Sequence, residues 1–107
     1  MKKVIIESPY AGDVEKNVRY ARRATLDSIR RGEAPFISHL LYTQEGILDD
    51  LLPDERALGI AAGHEWITVA ELTAVYADLG VSKGMQAGID RAKELGKPIE
   101  IRYIGDK

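Results

Sequence analysis

Four short stretches of the chain hold side chains able to bind or act on a small molecule. They are Ser8-Pro9-Tyr10, Ser38-His39 with Tyr42 close behind, Asp78, and Ser82-Lys83-Gly84-Met85-Gln86. Ser82 precedes an apolar-periodic run, so it reads as the N-cap of a helix whose first amides and dipole favour a phosphate or carboxylate. Gly84 lets a ligand come close to that backbone. Tyr10 either packs over its neighbours or stacks on a base. His39 reads equally as a hydrogen-bonded structural histidine or a ligand contact, and His64, in an Ala/Gly stretch, reads as structural. Asp78 either caps a turn or faces the ligand. No Gly-x-Gly-x-x-Gly, Walker, His-Glu-x-x-His or Gly-x-Ser-x-Gly pattern occurs. The chain has no cysteine and 2 histidines, so no metal site and no cofactor are expected.

Those stretches must be positioned by regular elements. Lys3-Val4-Ile5-Ile6 is a β-branched run ended by turn formers, as in a buried parallel strand. Val14, Val18, Ala21, Thr25 and Ile29, widened by Leu26, recur at helical spacing after Asp13, a candidate N-cap, and stop at Gly32. Pro35–His39 predicts the second strand, with a loop or single helical turn over Leu40–Gly46. Leu51-Leu52-Pro53 begins a helix reaching about Val69. Its interior Gly59 and Gly63 imply close approach of another backbone. Leu72–Tyr76 is the third strand. The helix after Ser82 carries Met85, Ile89, Ala92 and Leu95 inward and ends at Gly96-Lys97-Pro98. Ile99–Tyr103 closes as the fourth strand.

The order β-α-β-α-β-α-β predicts an α/β three-layer sandwich. Its parallel sheet has four or five strands in order 2-1-3-4, a flavodoxin-like or Rossmann-like arrangement. In such a sheet ligands bind outside the carboxyl ends of the strands. Three of the polar stretches fall there, and the fourth opens a helix at the same edge.

At 107 residues, 45% hydrophobic and 30% charged, the chain suits a single domain over 1–107. Fifteen Lys+Arg against 17 Asp+Glu give a net charge of -2, which argues against a nucleic-acid polymer as partner. No apolar run approaches the roughly 18 residues of a membrane-spanning helix. The opening residues are too short for a signal peptide, so no membrane association and a cytoplasmic location are expected. Charge is uneven: the segment Glu45–Glu65 is acidic apart from Arg56, while the flanking helices are basic. With Gly59/Gly63, this asymmetry suggests a homo-oligomer formed through the middle helix.

The chain resembles the nucleoside 2-deoxyribosyltransferase-like superfamily, particularly its small bacterial and phage members. The resemblance rests on Ser8-Pro9-Tyr10 after the first strand, Asn17 in the following helix, and the Phe36–Gln44 segment. It continues through Asp78-Leu79-Gly80-Val81-Ser82-Lys83-Gly84-Met85-Gln86 to Ala92–Pro98. It implies a small nucleoside, nucleotide or nucleotide-derived ligand. Tyr10 and Tyr42 would lie against the base or sugar, Asp78 and Gln86 at ribose hydroxyls, and Ser82, Lys83 and the Gly84–Met85 amides on a phosphate. It also implies sites completed by a neighbouring subunit. In the transferases a glutamate in the last helix attacks the anomeric carbon, capturing an oxocarbenium-like sugar with an anion. The matching position here is Gly88. The resemblance therefore implies a nucleotide-binding protein without transferase activity, one that senses or sequesters a nucleotide-derived signal. The alternative is a transferase or N-glycosidic-bond hydrolase using another carboxylate: Asp78 first, Glu7 next, Glu45 or Glu65 only through unforeseen loop placement.

Overall fold

The computed structural model describes residues 1–105. Its elements run β1 (Lys3–Glu7), α1 (Val14–Arg30), β2 (Ala34–Phe36), α2 (Ser38–Leu41), α3 (Pro53–Ile67), β3 (Leu72–Tyr76), α4 (Lys83–Glu94) and β4 (Ile99–Arg102). Among the described residues the sheet has four strands, all parallel, in the expected order β2-β1-β3-β4. No helix in the described residues is long and apolar enough to cross a membrane.

Period-two alternation divides the sheet residues between two helical layers. Val4, Ile6, Leu72, Ala74 and Tyr76 pack with Tyr20, Ala21 and Ala24 of α1. Ile5 meets Ile67 of α3 and Ala92 of α4, and Val75 meets Met85 and Ile89 of α4. Glu7 follows Ile5 by two residues, so the same alternation points it toward α4. Its register partner is Val75 at the centre of the sheet.

Three expectations about the elements need correction. The second strand ends at Phe36, where its pairing with β1 stops, and Ser38–Leu41 is a helical turn. Ile37 is the last extended residue and is buried in the α1-side core. His39 therefore belongs to α2 and not to a strand. The buried face of α1 is Asn17, Tyr20, Ala21, Ala24 and Ser28, while Val14, Leu26 and Ile29 are exposed. Polar Asn17 and Ser28 are buried because each has partners: Asn17 holds the carbonyls of Tyr10 and Ala11, and Ser28 holds Glu33. Finally, Gly63 admits Ser38 of α2, whose Cβ and Oγ would lie 2.9 Å from an added Cβ. Gly59 faces the side chain of Leu48 at 3.4 Å. The two glycines serve side chains of the same chain, not an approaching backbone.

Candidate functional site

A cleft of about 260 Å³ opens at the carboxyl end of β1, between α2, α3 and the start of α4. Glu7 lies in its lining. Among the described residues the Glu7 carboxyl forms no hydrogen bond or ion pair, and burial alone pushes its pKa up to about 8. It is placed against Gly88 of α4. A Cβ at Gly88 would overlap Glu7 Oε2 and lie 2.5 Å from Cδ and 2.9 Å from Oε1. The carboxyl group of β1 thus fills the space that a side chain at position 88 would take.

One wall of the cleft pairs two rings. Tyr10 and His39 lie 5.3 Å apart between centroids, tilted by 35°. The Tyr10 loop is fixed from below by the Asn17 amide, which donates to the carbonyls of Tyr10 (2.8 Å) and Ala11 (3.1 Å). His39 Nε2 is 3.2 Å from the Ser8 carbonyl and 3.1 Å from Ser8 Oγ. A carbonyl only accepts, so the ring proton sits on Nε2. Nδ1 is then a bare acceptor, buried without a partner. Desolvation holds His39 at a pKa of about 4, so the ring is neutral near pH 7.

Two cations also belong to the lining. Lys83 and Gly84 open α4 there, and Arg56 projects from the first turns of α3. Arg56 Nη1 is held 2.6 Å from Asp50 Oδ2. Ser82 caps α4, accepting from the Met85 amide at 3.2 Å, and its carbonyl accepts from Gln86 N. The expected Gly84–Met85 cradle is therefore half occupied: Met85 N serves the cap, while Lys83 and Gly84 line the cleft.

Of the residues singled out from sequence, the structure gathers Ser8, Tyr10, His39, Ser82, Lys83, Gly84 and Met85 around this cleft. Five others lie elsewhere. Pro9 is buried beside the lining, and Asn17 supports it from α1. Tyr42 lines a smaller neighbouring cavity, and its hydroxyl accepts from Trp66 Nε1 at 2.9 Å. Gln86 donates to Asp90 on the exposed side of α4. Asp78 accepts from the Tyr20 hydroxyl (2.7 Å) and the amides of Ile104 and Gly105 (both 2.9 Å). Desolvation opposes those bonds, but together they hold the Asp78 carboxyl below the ordinary carboxylate range. It clamps the chain after β4 and does not line the cleft. Glu45 and Glu65 are exposed and outside it. Glu7, placed after Asp78 in the sequence reading, lines the cleft where Asp78 does not, and Asp50 and Arg56 line it without having been singled out. His64, read as structural, also lines the cleft. Among the described residues no group of three or more His, Cys, Asp or Glu side chains could hold a metal ion.

Residues 2–102 match the family model described as a domain of unknown function, DUF7768. The chain belongs to that family. No curated protein shows significant sequence similarity to it. Among solved structures, it is similar to the 2-deoxyribosyltransferase of Bacillus psychrosaccharolyticus, with TM-score 0.73 and 18% identity over 98% of this chain and 75% of that one. The CMP N-glycosidase of Clostridium botulinum aligns with TM-score 0.56 and 17% identity, over 99% of this chain and 72% of that one. A 2-deoxyribosyltransferase of Leishmania mexicana aligns with TM-score 0.60 and 14% identity, over 96% of this chain and 65% of that one. At these identities the shared property is the fold: this DUF7768 chain has the deoxyribosyltransferase-like α/β architecture.

Proposed function

We propose that this DUF7768 protein binds a nucleoside, nucleotide or nucleotide-derived molecule in the cleft at the carboxyl edge of its sheet. The observation that carries the reading is the combination of residues in one cleft. The Tyr10–His39 ring pair suits a base, and the same cleft is lined by Lys83, Arg56 and the start of α4 at Gly84, which suit a phosphate. The solved relatives, named for deoxyribosyl transfer and CMP N-glycoside cleavage, support the same ligand class. Base exchange through a helix-borne carboxylate is not part of the proposal, because position 88 is glycine.

The test is thermal unfolding with nucleosides, their 5′-monophosphates and ADP-ribose, since a ligand of the native state raises the melting temperature. At least one monophosphate is expected to raise it, and Lys83→Ala or Arg56→Ala to weaken that shift more than any shift by the matching nucleoside. Absence of a shift with every compound would remove the ligand class. Binding without product fits a sensing or sequestering role. Hydrolysis of the N-glycosidic bond is the second reading, favoured by the Glu7 carboxyl in the cleft.

The proposal includes self-association through α3, now resting on its exposed apolar side chains and not on its glycines. Leu58 is 62% exposed and Trp66 47%. Light scattering is expected to give a multiple of 11.8 kDa; a monomeric mass at high concentration would remove this part.

A further inference from the structure

We infer that Glu7 is the catalytic carboxyl of the cleft and that the protein hydrolyses the N-glycosidic bond of the molecule bound there, an inference that rests on the ligand class proposed above. Two unfavourable choices meet at this point. A carboxyl is desolvated with no hydrogen-bond donor or cation among the described residues to compensate it, which costs stability. A glycine sits inside α4, where any other residue would favour the helix more, proline excepted. Neither choice helps the fold by itself. Together they put one carboxyl into the cleft, because only a residue without a Cβ leaves room for it.

The position has a topological reason as well. The chain passes from β1 to β2 on one side and from β3 to β4 on the other, so the crossovers diverge between β1 and β3. Glu7 is the last residue of β1 and stands in register with Val75 of β3, at the mouth of that crevice. The cleft's other titratable groups are Tyr10, His39, Asp50, Arg56, His64 and Lys83. Asp50, the other carboxylate among them, is paired to Arg56. His39 is neutral and already donates to Ser8, so Glu7 is the one cleft carboxyl among the described residues without a partner.

The chemistry balances with one carboxyl and one water. The Glu7 carboxylic acid gives its proton to the departing base as the bond between the base nitrogen and the anomeric carbon breaks. The electron pair of that bond leaves with the base. Water adds to the sugar cation at the anomeric carbon, and its surplus proton returns to the Glu7 carboxylate. N-glycoside and water become free base and free sugar, and the enzyme is unchanged. A desolvated carboxyl with a pKa of about 8 holds its proton at neutral pH and suits the first step.

The experiment incubates the full chain with ribo- and deoxyribonucleosides, their 5′-monophosphates and ADP-ribose, and separates free base by chromatography. Binding of each compound is measured independently by calorimetry. At least one compound is expected to release base, with a rate that falls as pH rises through about 8. Glu7→Gln should slow release by about 100-fold or more while affinity changes only a few-fold. Gly88→Ala, which drives the carboxyl from its place, should also slow it. Binding without base release would overturn the hydrolysis and leave the ligand class standing. A Glu7→Gln variant of undiminished rate, or a rate rising through pH 8, would overturn the assignment to Glu7. Failure of every compound to bind would overturn both readings.

Discussion

Glu7 and Gly88 are a matched pair, and substituting each shows what the match costs. Alanine at position 88 gains helix propensity of about 1 kcal/mol over glycine. In the single variant Gly88→Ala that gain is opposed, because the new methyl meets the Glu7 carboxyl. When Glu7→Ala is combined with Gly88→Ala, the obstruction is gone. The double variant is therefore expected to melt higher than the parent by several degrees, as about 1 kcal/mol implies for a domain of this size. The single variant should gain less. The effect of Gly88→Ala measured in the parent, set against its effect in the Glu7→Ala variant, isolates the contact, and calorimetry reads it. Equal gains in both would mean that the carboxyl moves aside at no cost. From sequence, Gly88 was legible only as a missing side chain. That another side chain fills the space, from the far end of the chain, depends on how α4 packs on β1 and leaves no local signal.

At the scale of elements, what was legible followed from period and punctuation. Asp13 and Ser82 cap α1 and α4 as expected, accepting from Lys16 N and Met85 N, and Gly32 and Gly96 have the positive φ of helix stops. What was not legible were buried polar positions, which periodicity assigns to solvent. Arg102 on β4 alternates as an outward residue would, yet its side chain is only 3% exposed. It donates to both oxygens of Glu33, at 2.8 and 2.7 Å, and to the Tyr76 hydroxyl at 3.0 Å. Tyr76 in turn donates to Asp27 of α1. The network ties β4, β3 and the α1 exit together through partners up to 69 residues apart. Removing the guanidinium would strand the Glu33 carboxylate, so Arg102→Ala should cost about 3–5 kcal/mol, measurable by urea unfolding. The bonds from Arg102 hold the Glu33 pKa below its ordinary value. That stabilisation is present above the unfolded pKa and is lost as pH falls. Arg102→Ala should accordingly lose part of the parent's sensitivity to acid.

For the whole molecule, two cleft residues set opposing dependences on pH. Glu7 keeps its proton up to about 8 when folded, against an ordinary value of 4.5. Between those values the unfolded chain has released a proton that the folded chain retains, so stability falls as pH rises. His39 stays neutral down to about 4 when folded, against an ordinary value of 6.5. Between those values the unfolded chain takes up a proton that the folded chain refuses, so stability falls as pH drops. One proton of difference corresponds to about 1.4 kcal/mol per pH unit. The two slopes oppose each other from 4.5 to 6.5, where His64, whose pKa burial also lowers, adds to the His39 side. From 6.5 to 8 only the Glu7 slope remains, so the parent should lose stability steadily on that limb. Glu7→Gln carries no proton to lose: its alkaline limb should flatten, and the His39 slope should emerge between 4.5 and 6.5. His39→Gln should do the reverse, leaving the Glu7 slope between 4.5 and 6.5 opposed by His64 alone and the limb above 6.5 unchanged. Melting temperatures of the three proteins from about pH 5 to 9 decide the matter, and an alkaline slope that persists in Glu7→Gln would place its origin outside the cleft.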